Sequence, residues 1–229
     1  MKKNIKNIKN IMLIFVSVIL SLVYIFNYEV IGDIYNLAIG KVSKNFGNDL
    51  GRDLDYDGDN DSGVVLNSIV GGNGDDYGKS IYVDNSNKVY ITGCSSNGSN
   101  LNMYVIRLNE NGSMDSTFGR KGKVVINNIA GGNSYDYGQS IYVDGNNRIY
   151  VTGWSDNGKN NDVYVIRLNE DGSMDNTFGK KGKVVINNIA SSNSDDYAYS
   201  IYVDNSGKIY ITGDSYNGSN LDMYVLKIE

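Results

Sequence analysis

The stretch KVVINNIAGGNSYDYGQSIYVDGNNRIYVTGWSDNGKNNDVYVIRL, residues 123–168, decides the fold. Val124, Val125, Ile126 and Ile129 form a β-branched run, followed by the polar loop GGNSYDYG. In SIYVD, Ile141 and Val143 point one way and Tyr142 the other. Asp144-Gly145-Asn146-Asn147 then reverses the chain. In RIYVTGWS, Ile149 and Val151 share one face and Tyr150 takes the opposite one. Asn157-Gly158 marks a second loop. In VYVIRL, Tyr164, Ile166 and Leu168 alternate with Val165 and Arg167. Each run is short, β-branched or aromatic, of period two, and bounded by turn residues. Four antiparallel strands per unit make the blade of a propeller, so the pattern predicts an all-β, propeller-like chain.

This unit recurs. Residues 71–130 and 131–190 share YVIRLNE, GSMD, TFG and KGKVVINNIA, and residues 191–229 begin the unit again. A fixed period of this length marks a repeat architecture whose units cannot bury their apolar faces alone. The expected organisation is three four-stranded blades from a sixty-residue repeat, residues 64–122, 123–182 and 183–229. A degenerate connector with an Asp-rich loop (28–63) and an N-terminal signal or transmembrane helix (1–27) precede them.

Between strands lies the connector NEDGSMDNTFGKKG, residues 169–182. Asp171-Gly172 supplies a turn. Met174 and Phe178 are its only large apolar residues, and they read as a plug docking one blade onto the next; Met114 and Phe118 repeat it. Gly40, Val42, Phe46 and Gly47 form a worn copy at the spacing of Gly112, Met114, Phe118 and Gly119.

RLNENGSMDSTFGRKGKVV and RLNEDGSMDNTFGKKGKVV resemble the delta-sixty repeat of bacterial surface proteins, and DDYAYSIYVDNSGKIYITGDS is similar to the SBBP repeat, a β-propeller unit. The resemblance covers residues 40–229. It implies an extracytoplasmic β-propeller and carries no catalytic motif. Three blades fall short of the four to eight that close a ring, so the chain is expected to self-associate or join another propeller-repeat chain, the alternatives being an open arc or a remnant of a longer protein.

The N-terminus reads as a membrane address. Lys2, Lys3, Lys6 and Lys9 precede IMLIFVSVILSLVYIF, residues 11–26. These are the charged and apolar regions of a secretory signal. No small-x-small cleavage site follows closely, which favours an uncleaved anchor over a cleaved peptide and a secreted product. The lysines stay inside, so the repeats face outward in an extracytoplasmic, membrane-anchored protein.

The 229 residues include no histidine, no proline and one cysteine. Histidine-based triads, ordinary zinc sites and internal disulfides are thereby excluded. Cys94 shares its repeat position with Trp154 and Asp214 and reads as a tolerated strand-end residue. Without the four N-terminal lysines, 17 basic residues face 26 acidic ones, a net −9. That balance argues against nucleic acid, which binds basic stripes.

Two motifs point to binding. Asp53, Asp55, Asp57, Asp59 and Asp61 alternate around Gly58. Hard Ca²⁺ takes six to eight oxygen ligands, and the start matches D-x-D-x-D-G of a calcium loop. Val64 stands where the closing Glu belongs, and a solvated acidic loop is the competing reading. The second motif is Asp76-Tyr77, Asp136-Tyr137 and Asp196-Tyr197, one pair per repeat. Such pairs suit sugar or protein contact at one end of the assembly. Alternatively the tyrosines pack between blades and the aspartates cap turns. The Asn-Gly-Ser triplets at Asn97, Asn111 and Asn217 read as turns.

The expected function is a surface-exposed propeller-type binding or assembly module without catalytic activity. One alternative is a calcium-dependent carbohydrate binder, contacting surface glycans through the Asp-Tyr loops. A second is a carboxylate-based, polysaccharide-active enzyme, which needs only Asp, Glu or Tyr.

Overall fold

The computed structural model describes residues 46–49, 62–190 and 194–229. The chain divides into two compact units, residues 1–44 with 49–62 and residues 45–48 with 63–229. The first falls almost wholly outside the described residues, and with it the expected N-terminal helix. The described elements are all strands, as the period-two pattern predicts. Among the described residues no helix is long and apolar enough to cross a membrane.

A short pair, β1 (Asn48–Asp49) and β2 (Ser62–Gly63), opens the described chain. The first large sheet then orders β3 (Asp76–Val83), β4 (Val89–Ser96), β5 (Leu101–Leu108) and β6 (Lys123–Ile126). The second repeats it with β7 (Asp136–Val143), β8 (Ile149–Asp156), β9 (Asn161–Leu168) and β10 (Lys183–Ile186). The third has three strands, β11 (Asp196–Val203), β12 (Ile209–Tyr216) and β13 (Leu221–Ile228). The ladders of the three large sheets are antiparallel.

Local chemistry sets the hairpins. Asp144 Oδ1 accepts from the N–H of Asn146 and of Arg148, both at 2.9 Å, and Asn147 takes φ +60°. Asp84 and Asp204 do the same in their sheets. A short carboxylate that bonds its own backbone two residues on makes this turn, and Asn or Gly tolerates the left-handed residue. Asn97 closes the next hairpin, accepting from the Ser99 and Asn100 N–H groups at 2.8 and 3.0 Å.

Two corrections follow from the sheet order. The KVVI run is not the opening strand of a repeat. Lys123–Ile126 pairs back onto β5, and Lys183–Ile186 onto β9, so each closes the preceding sheet. The connector is itself a compact loop: Asp115 N–H donates to the Arg107 carbonyl and Gly122 N–H to that of Phe118. It returns the chain to the sheet it has just left. The second correction concerns four strands per sheet. No strand lies against the outer edge of β13 among the described residues, so the third sheet has three.

The sheets stack face to face. Tyr90, Met103, Val105 and Phe118 of the first pack against Ile141, Val143, Ile166 and Leu168 of the second. Tyr150, Val163, Val165 and Phe178 repeat this against the third. The predicted faces hold: Ile141 and Val143 bury together, and Tyr164, Ile166 and Leu168 turn away from Val165. Phe118 and Phe178 do plug one sheet onto the next, whereas Met114 and Met174 reach the interface on the other side. Burying such side chains stabilises by roughly 1.5–3 kcal/mol each.

Candidate functional site

The first strands β3, β7 and β11 begin at the Asp-Tyr pairs. A bulge between Gly78 and Ser80 recurs at Gly138/Ser140 and Ala198/Ser200. It tilts the strand start and brings the Tyr77, Tyr137 and Tyr197 carbonyls toward buried phenols. Tyr104, Tyr164 and Tyr224 donate to those carbonyls at 3.0, 2.9 and 2.8 Å. Burial pushes the Tyr104 phenol up to about 12 and the Tyr164 and Tyr224 phenols also up, so they stay donors. Gly93, Gly153 and Gly213 sit beneath: a Cβ there would strike the Tyr77, Tyr137 or Tyr197 carbonyl.

The aspartates face inward. Asp136 accepts from the N–H of Asn128 at 2.8 Å and of Ile129 at 3.0 Å, and from the Ser155 hydroxyl at 2.6 Å. Burial raises its pKa against those bonds. Asp76 accepts from Ser68 and Ile69 N–H groups in the same way, and Asp196 from the Ser215 hydroxyl. Asp76 and Asp136 cap the loop preceding their strands, with both Asp136 oxygens engaged, whereas the buried Oδ2 of Asp196 has no hydrogen-bond partner among the described residues.

The tyrosines form a half-exposed aromatic row. Trp154 stacks on Tyr137 with centroids 3.9 Å apart and meets Tyr197 edge-on at 5.4 Å. Tyr135 lies 6.4 Å from Tyr137. Trp154 thus cements adjacent sheets at a position where the first repeat has Cys94 and the third Asp214. Cys94, two residues from the end of β4, is fully buried, and burial pushes its thiol up to about 11 despite the nearby Lys79 charge. Such a thiol is unreactive.

A second cluster escaped the sequence pattern. Arg107 donates to Asp115 Oδ2 at 2.9 Å and to the Thr117 hydroxyl at 2.9 Å, while its guanidinium lies over the Phe118 ring at 4.9 Å. Lys88 reaches the same Asp115 oxygen at 2.9 Å. Burial opposes ionisation of Asp115, but the bonds from Thr117 and Lys88 and the Arg107 charge outweigh it and hold the carboxyl well below its usual range. Arg167, Asp175 and Thr177 repeat the arrangement. Its signal was available in the recurrence of R-L-N-E and S-M-D-x-T-F. The cluster holds the connector.

Asp53, Asp55, Asp57, Asp59 and Asp61 lie outside the described residues. Among the described residues no group of three or more Cys, Asp or Glu side chains is placed to hold a metal ion. A cleft of about 680 Å³ is lined by Ile69, Arg120, Lys121, Lys123, Val124 and Gly172, among others. The Lys123 ammonium is occupied there by the Ile69 carbonyl.

Comparison with known families adds one finding. The model of a domain of unknown function described as a beta-propeller (DUF5122) matches residues 85–118 and 145–178. Repeats, stacked sheets and this match together support a β-propeller repeat protein. Each matched segment runs from the first hairpin turn through two strands to the plug phenylalanine, Phe118 or Phe178. The propeller repeat is therefore recognised by its middle strands and connector. The comparison with curated proteins finds no match.

Proposed function

We propose that the chain is a non-catalytic propeller-type assembly module of three blades, of the delta-sixty or SBBP kind, whose end blades associate with further blades. One observation carries this reading. Ile81 on the first sheet is 65 % exposed, whereas its counterparts Ile141 and Ile201 are 5 % and 7 % exposed beneath a neighbouring sheet. At the other end Met223 on the third sheet is 72 % exposed, whereas Met103 is fully buried. The repeats carry the same apolar faces, and among the described residues these positions lack cover at the outermost two. Apolar patches of this kind mark association sites. The lysine-led apolar run 11–26 supports an outward-facing, membrane-held placement. The absence of histidine and the structural use of Asp136 weigh against acid–base catalysis.

The test is the mass of the full chain in non-denaturing detergent, by sedimentation at micromolar concentration. A dimer or larger species is expected. Met223→Glu with Val225→Glu, on the outer face alone, is expected to return it to monomer. A wild-type chain that stays monomeric overturns the reading.

A further inference from the structure

The two open ends are complementary, and each holds what the other lacks. Within the chain, every sheet-to-sheet contact has the same parts. The leading sheet contributes its closing strand, as Val124 and Ile126 or Val184 and Ile186, and the third-strand residues beside it, as Met103 and Val105 or Val163 and Val165. Ahead of the first sheet, only the closing-strand parts are present among the described residues. Phe46, Val64 and Leu66 pack on Ile106, Leu108 and Met114, as Phe118, Val124 and Ile126 do one repeat later. Gly47 N–H donates to the Asn111 carbonyl at 3.0 Å, as Gly119 N–H does to Asp171 at 2.8 Å. Residues 63–66 therefore stand where a closing strand stands one repeat later, and no counterpart of β5 lies beside them among the described residues. Their missing neighbours, Met223 and Val225, stand exposed on β13, which has no closing strand among the described residues.

The seat is also visible in Val65. It is 82 % exposed, about twice its counterparts Val125 and Val185, because those have β5 or β9 beside them.

We propose that residues 63–66 of one copy complete the third sheet of a second copy, pairing antiparallel with β13. This rests on the assembly reading and specifies its partner and register. In the first sheet Met103, Tyr104, Val105 and Ile106 oppose Ile126, Val125, Val124 and Lys123. Transferred by the sixty-residue period, Met223 opposes Leu66, Tyr224 opposes Val65, Val225 opposes Val64 and Leu226 opposes Gly63. The joint repeats a contact the chain already forms twice, with the same or similar apolar residues at three of the four pairs and Gly63 in place of Lys123 and Lys183. It also places Ile81 and Val83 of the one copy against the Met223 and Val225 face of the other. The internal counterpart of that seam includes the Ile141 N–H donating to Ser80 Oγ and the Ile201 N–H to Ser140 Oγ, both at 3.3 Å. Across copies, Ile81 N–H meets Ser200 Oγ. The contact is head-to-tail, so two copies related by a closing rotation make a ring of six blades, within the range propellers use.

The test co-expresses two full-length single variants, one carrying Val64→Cys and the other Val225→Cys, so that only a contact between copies links them. Mild oxidation is expected to give a disulfide-linked species of doubled mass. Val65→Cys with Val225→Cys is expected to give none, because adjacent strand residues leave the sheet on opposite faces. The native Cys94 is buried in every variant. Val65→Pro is a second probe: proline cannot donate to a ladder. The exposed Val65 tolerates it in the monomer, so circular dichroism is unchanged while the associated mass is lost. Association without the Val64–Val225 link, or undiminished by Val65→Pro, overturns the strand pairing and leaves the assembly reading standing. A chain that never associates defeats both.

Discussion

The guanidinium of Arg107 spans two repeats: Nη1 donates at 2.7 Å to the backbone carbonyl of Glu170, sixty-three residues away, while Nε holds Asp115 of its own connector. One side chain thus fixes both a connector and the place where the next connector lands. Arg107→Ala removes the fork and leaves Lys88 as the one cation bonded to Asp115, beside its Thr117 bonds. A loss of about 3 kcal/mol is expected, as when one partner of a buried pair is deleted. Arg107→Lys recovers little, since an ammonium cannot donate in three fixed directions. Urea unfolding of the three proteins measures this.

The same cluster makes stability depend on acid. Asp115 is depressed as described, and Asp175 is lowered by the Thr177 hydroxyl, against burial, with help from Arg167. An aspartate in the unfolded chain titrates near about 4. Depressed folded-state values mean that the stabilisation is complete above that pH and is lost as pH falls below it toward the folded values. Asp115→Asn with Asp175→Asn is expected to lower stability at neutral pH and to flatten its decline in acid. Unfolding midpoints across this range check the sign.

Asp136→Ala orphans the N–H of buried Ile129 and the hydroxyl of buried Ser155, and removes the partner of the Asn128 N–H. Each buried unsatisfied group costs about 1–3 kcal/mol, so thermal unfolding is expected to fall sharply. Tyr135→Ala, on an exposed ring, is expected to leave it nearly unchanged. The reverse ranking would return the Asp-Tyr pairs to the role of ligand contacts.

Gly153→Ala drives a methyl into the Tyr137 carbonyl, which is held by the Tyr164 phenol. The bulge cannot retreat without breaking that bond. Expression of this variant is expected to yield aggregated or unfolded protein, whereas Gly145→Ala, with open space around it, folds normally. Solubility and circular dichroism distinguish them.

Cys94 is expected to ignore thiol reagents in the native protein and to react in full on denaturation, because it is enclosed and its thiolate is disfavoured. Absorbance titration with a chromogenic disulfide reads both states. Rapid native labelling would show the first sheet opening.

How far the sequence carried the fold depends on what each pattern encodes. Period-two alternation placed Ile141, Val143, Tyr164 and Ile166 on their observed faces, because side-chain direction in a strand is a local property. It could not say which strand Val184 and Val185 join. KVVI reads as a strand in either direction, and the deciding feature was the connector's return, set by backbone bonds among Asp115, Phe118 and Gly122. Asp136 was read either as a ligand contact or as a turn cap. Its partners are a backbone segment eight residues earlier and a serine nineteen residues later, which no short motif exposes. Trp154 and the Arg107 fork were missed for a similar reason: their contacts cross from one repeat to the next.

Because the closing strand returns to its own sheet, each four-stranded sheet is one uninterrupted stretch of chain, residues 76–126 or 136–186. A whole sixty-residue segment such as 71–130 therefore carries a complete sheet together with the face it offers to the next. Duplication or loss of a whole segment leaves both outer faces unaltered, with Val64 and Leu66 at one and Met223 and Val225 at the other. The length of such an array can drift by whole units while its way of joining to a neighbour is inherited intact.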